Sequence, residues 1–166
     1  MSMPSLRANQ HSIRLPDDIK EKALRWVQSQ AATSHRKPTD APFKRLIDFW
    51  FASIAWAVNT GLSPVEAASG GKFVSIGPKS QDVNIEDWKC DLLTVLAVRD
   101  FGHEDSRTQS PPEIVDLANR YAEAGAPALV AKLELMEELT IPMLYRVTDL
   151  FTDEVEKVLK AGAGPF

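Results

Sequence analysis

Apolar residues recur along most of this chain at helical spacing, broken by Pro, Gly and short polar runs. His11 to Leu15 alternates polar and apolar, a short strand signal, and Pro16 then Asp17 open a helix. On that helix Ile19, Ala23, Trp26, Val27 and Gln30 share a face, while Lys20, Lys22, Arg25 and Gln28 lie elsewhere. Residues 31–41 read as a polar loop around Pro38. Pro42 suits the first turn of a second helix that runs to about Asn59 and stops at Gly61. Leu46, Ile47, Phe49, Trp50, Phe51, Ile54, Trp56 and Val58 cover nearly every side of it. A helix apolar all round is enclosed by other elements or by a partner.

The remaining punctuation is equally regular. Ser63-Pro64-Val65-Glu66 has the spacing of a capping box and predicts a short helix ending at Gly70-Gly71. Lys72 to Ile76 reads as a second strand. Asn84 caps a helix from Ile85 to about Arg99, with Ile85, Trp88, Leu92, Leu93, Leu96 and Ala97 expected inward and Gly102 as its end. Ser110-Pro111-Pro112-Glu113 opens a helix carrying Ile114, Leu117, Ala118 and Tyr121. Gly125 is expected to close it, and Pro127 to start another with Leu129, Val130, Leu133 and Met136. Further helical stretches fall at Met143–Phe151 and Asp153–Lys160. The sum is a mainly α, single-domain helical bundle of about seven helices with at most two short strands. Residues 1–10 form a flexible tail and 11–166 the domain.

Composition adds limits. The chain has 166 residues, 44% hydrophobic and 25% charged, an ordinary globular balance. With one cysteine, Cys90, no internal disulfide forms and no zinc site rests on thiolates. No secretory h-region is visible and the longest apolar stretch, Leu46–Val58, is short of a membrane span, so a cytoplasmic protein with no membrane contact is expected. The net charge of −4 is uneven: residues 1–50 carry +4 and residues 51–166 carry −8.

Catalytic patterns are few. Gly71-Lys72 is followed by Phe73, and Glu66 stands where a phosphate loop needs its first glycine. Asp100-Phe101-Gly102 matches a kinase metal triplet without the loops that accompany it, and reads as a helix end. Asp100, His103, Glu104 and Asp105 are the densest group of potential ligands, in a spacing that fits no metal motif. Neither Cys90 nor any serine has a nucleophile signature, and His11, His35 and His103 are the only histidines. A non-enzymatic protein is expected, without cofactor or metal.

Two segments resemble known families. The order Ser12-Ile13-Arg14-Leu15-Pro16-Asp17-Asp18-Ile19, followed by two helices, resembles a ribbon-helix-helix DNA-binding domain, although the helix connection here is eleven polar residues long. That resemblance implies that His11 or Ser12 and Arg14 face duplex DNA and that Phe43 to Arg45 meets phosphate. With the local basic run it makes Arg14, Arg36, Lys37, Lys44 and Arg45 the candidate nucleic-acid contacts. The stretch from Pro42-Phe43-Lys44-Arg45 through Asp48 to Ala55 and Gly61 resembles small accessory proteins of bacterial anti-phage and DNA-modification gene clusters. It implies a subunit working beside larger enzymes. The leading expectation is an adaptor or regulatory subunit of a cytosolic bacterial assembly, with larger subunits or a second copy of the chain as partners. Trp50, Phe51 and Trp56 are its expected interface.

Overall fold

The computed structural model describes residues 13–28, 41–66, 73–75 and 87–138. The expected tail 1–10, the basic pair Arg36 and Lys37, and the helical stretches at Met143–Phe151 and Asp153–Lys160 lie outside the described residues. The protein is mainly α-helical. In chain order the elements are β1 (Arg14–Pro16), α1 (Asp17–Leu24), α2 (Leu46–Asn59), β2 (Phe73–Ser75), α3 (Asp87–Phe101), a 3-10 turn at Ser106–Gln109, and α4 (Pro111–Glu138).

The two strands pair with each other, antiparallel, with Arg14 opposite Ser75 and Leu15 opposite Val74. The first turn of α1 carries Asp17 and Asp18 and its last turn Lys22, charges that suit the helix dipole at each end. It is shorter than the sequence predicts. After Leu24 the backbone leaves the helix so that Val27 forms a bridge with Phe43, where Gln28 N–H donates to Phe43 O at 2.7 Å and Phe43 N–H to Trp26 O at 3.2 Å. Trp26 and Val27 are still fully buried, as their apolar spacing implies, but the bridge and not the helix carries them.

The bridge also delays the second helix. Arg45 is its extended N-cap, and Asp48 accepts the Arg45 N–H at 3.1 Å. The helix closes with a Schellman motif: Leu62 N–H reaches Ala57 O at 2.8 Å and Gly61 N–H reaches Val58 O at 3.3 Å. Gly61 sits at φ 72°, which its missing Cβ permits.

Two expected features are corrected. Ser63–Glu66 shows no helix: Val65 N–H donates to Arg120 O at 3.3 Å, and Arg120 Nε donates back to Val65 O at 2.6 Å. Backbone groups committed across space to α4 are not available for a local helical turn. In addition, α4 is one helix of 28 residues where the sequence predicts two. Gly125 does not end it, because this glycine is where α2 crosses. A Cβ there would collide with Ser53 O and stand 3.0 Å from Ala57 Cβ. Pro127 lies on the exposed side, where the Glu123 carbonyl it leaves unbonded can turn to water.

The packing of α2 on α4 is the largest contact in the fold. Phe49, Trp50, Ile54 and Ala57 meet an α4 stripe that includes Leu117, Tyr121, Leu129 and Leu133, all buried. Leu93, Leu96 and Ala97 of α3 close the same core. Among the described residues, no helix is long and apolar enough to cross a membrane.

Candidate interaction surface

The acidic loop is absorbed by structural bonds. Tyr121 O–H donates to Asp100 Oδ2 at 2.6 Å, and Arg99 donates to Asp100 Oδ1 at 2.9 Å and to Tyr121 Oη at 2.5 Å. Burial, aided by the bond to Asp100, holds the Tyr121 hydroxyl above its ordinary range, so it stays protonated. Asp105 caps the 3-10 turn by accepting Arg107 N–H at 2.9 Å, and takes the Arg107 guanidinium on both oxygens at 2.7 and 3.0 Å. The side-chain and backbone bonds from Arg107 lower its pKa to about 2. Arg107 in turn lies over the Phe101 ring at 4.1 Å. His103 and Glu104 are exposed beside them. No group of three or more potential metal ligands gathers among the described residues.

Of the candidate nucleic-acid residues, Arg36 and Lys37 lie outside the described residues, and Arg14, Lys44 and Arg45 are at the surface. Arg14 is exposed on β1, its backbone N–H held by Asn119 Oδ1 at 2.8 Å. Lys44 and Arg45 are exposed and line an open depression of about 650 Å³ with Pro42, Phe43 and Asp48. Asp48 neutralises much of the charge there, binding Arg45 Nη2 at 2.9 Å and Lys89 Nζ at 3.1 Å. Burial by itself would raise the Asp48 carboxyl, yet the bonds from these two cations hold it below the ordinary range.

Among the expected interface aromatics, Trp50 is a correction. It has no exposed surface, and its Nε1 donates to Asn119 Oδ1 at 3.2 Å inside the core. Phe51 and Trp56 are half-buried and pack against the same core. Phe51, however, leads outward: its ring meets Trp88 edge-on at a centroid distance of 5.5 Å.

Trp88 and Leu92, expected inward, lie on the outside instead. Trp88 is 56% exposed, Leu92 51% and Val95 62%. Their spacing of four and then three places them on one line along α3, about 10 Å long. The flank of α3 next to this line is the buried one, with Leu93, Leu96 and Ala97. The Trp88 indole is braced by Phe51 on one side and by the Lys89 ammonium, 5.3 Å from its ring centre. Lys89 itself is buried against Asp48, which fixes the start of α3 on the start of α2. The outer face is therefore a braced aromatic followed by two aliphatic side chains in water. The sequence pattern carries a signal of this: α3 has two apolar stripes, and a helix at the edge of one core uses only one.

Compared with protein-family profiles, curated proteins and solved structures, the chain matches none.

Proposed function

We propose that this chain is a protein-interaction subunit, an adaptor or regulatory component of a larger assembly, and that the outer face of α3 is its contact surface. The observation that carries the reading is the line of Trp88, Leu92 and Val95, three large apolar side chains held in water on one rigid helix. Large contiguous apolar exposure is costly for a protein that works alone and is characteristic of interfaces. Trp is also the residue type most enriched among those that dominate binding energy, and bracing it lowers the entropy lost on association. The resemblance of residues 42–61 to accessory proteins of anti-phage and DNA-modification clusters favours a subunit that works beside larger enzymes.

The test is co-purification of the tagged chain from its native host with and without nuclease, followed by mass spectrometry, for the wild type and for Leu92→Glu. A stoichiometric protein partner that the wild type retains and the variant loses, with the variant's circular dichroism unchanged, is the expected result. Partners lost on nuclease treatment alone would replace this reading with the nucleic-acid one, through Arg14, Lys44 and Arg45. Identical partners for both proteins would remove α3 as the contact surface.

A further inference from the structure

If α3 is the contact surface, as proposed above, the order of residues along it says what covers it. The exposed line continues from Trp88, Leu92 and Val95 to Arg99, whose side chain is 48% exposed. The intervals are four, three and four, so the line reads the same in both directions. An isologous two-fold contact requires a surface that is its own complement, with residue i on j and j on i. Two α3 helices laid antiparallel about a point between residues 93 and 94 meet that requirement: Leu92 of one copy faces Val95 of the other, and Trp88 faces Arg99, twice over.

The end residues are chemically matched. A guanidinium over an indole face is the strongest common cation–π pairing. Trp88 is already braced by Phe51 and Lys89, and its 56% exposure leaves ring surface for an incoming cation. Charge favours the same orientation. Parallel copies would set Asp87, Asp91 and Arg99 each against their own counterparts, whereas antiparallel copies bring the exposed Asp87 and Asp91 towards Arg99, whose charge Asp100 already partly balances. Arg99 keeps its bonds to Asp100 and Tyr121 in this arrangement: its guanidinium already lies over the Tyr121 ring at 5.5 Å, and a guanidinium stacks through either face.

We infer that the outer face of α3 binds a second copy of this chain, as an antiparallel helix pair with Leu92 on Val95 and Trp88 on Arg99 across a two-fold axis. Four side chains per copy put the contact at the low end of interface sizes, under about 1,200 Å² in total, the class of weak and transient encounters. Such an interface suits a subunit that pairs and separates with concentration, as when two copies are brought together on an assembly.

Sedimentation equilibrium of the full chain from micromolar to millimolar concentration tests the inference through two single variants and their mixture. The wild type is expected to pass from monomer to dimer. Leu92→Lys and Val95→Glu, each with an unpaired charge at the contact, are expected to weaken association about tenfold or more. In the mixture, the ammonium introduced at position 92 of one copy faces the carboxylate introduced at position 95 of the other, and heterodimer is expected to return. Two controls guard against local unfolding. Circular dichroism of both variants must match the wild type, and Leu135→Glu, at an exposed site on α4, should leave the dimer intact. A wild type that stays monomeric overturns the second-copy inference; if Leu92→Glu still loses its host partner, the contact-surface reading survives it. A dimer unaffected by either α3 variant, or variants whose mixture does not reassociate, also overturns the inferred pairing.

Discussion

Asp105 shows how a residue that reads as a candidate ligand becomes a structural one. Its carboxylate caps the 3-10 turn and is gripped by Arg107 two residues later, so its pKa falls from the ordinary 3.8 to about 2. A carboxyl whose folded pKa is depressed contributes stability above its unfolded pKa and loses that contribution as pH falls through the folded one. The Asp105 contribution is thus complete above about pH 4 and fades towards about pH 2. A carboxyl-carbon NMR titration is expected to give a midpoint near 2 for Asp105, returning towards 3.8 in Arg107→Gln. A wild-type midpoint near 3.8 would mean that the grip does not persist in solution. None of this is legible from the sequence, because an acidic loop looks the same whether its charges hold a metal, a neighbouring arginine or only water.

At the scale of elements, punctuation residues give the clearest contrast. Gly61 and Gly102 end α2 and α3 at positive φ, 72° and 91°, as expected of glycines after apolar periodic runs. Gly125 looks the same in sequence and does the opposite: it sits inside α4 and lets the α2 backbone approach. Ala is about 1 kcal/mol better than Gly in a helix, so local propensity alone predicts that Gly125→Ala stabilises. The contact with Ser53 O reverses the sign, and a loss of about 1–3 kcal/mol is expected by urea denaturation. Pro127→Ala, on the exposed side of the same helix, is expected to raise Tm, because it restores a hydrogen bond without touching the crossing. If both substitutions stabilised, the close α2–α4 crossing would be wrong. The non-helical Ser63–Glu66 segment follows the same logic: a capping-box pattern describes a local option, and Arg120 supplies a distant one that takes precedence.

For the whole molecule, the small sheet and the two large helices are tied at Asn119. Its Oδ1 accepts from Arg14 N–H of β1 and from Trp50 Nε1 of α2, while its own backbone belongs to α4. Asn119→Ala removes one acceptor and leaves two donors without it, a cost of about 1–3 kcal/mol, to be read as a lower urea midpoint at unchanged slope. A midpoint within error of the wild type would show that β1 and Trp50 are held by packing alone. The same assembly explains where the interface aromatics go. Trp50 is drawn inward by Asn119 and the α4 stripe, Phe51 is turned to the edge, and Trp88 takes the outward position on α3.

Read without any structure, the residues already say that the chain is mainly helical, where α2 and α3 end, and which side chains are apolar enough to form a core. These follow from local spacing and from backbone conformations that glycine allows. Three features come from packing alone: α4 runs unbroken past Gly125 and Pro127, β1 pairs with β2, and one particular apolar stripe of α3 faces water. Each of those depends on which distant surface lies opposite, and apolar spacing marks a residue for burial without stating against what. Trp88, Leu92 and Val95 have the periodicity of core residues, and the fold leaves them outside.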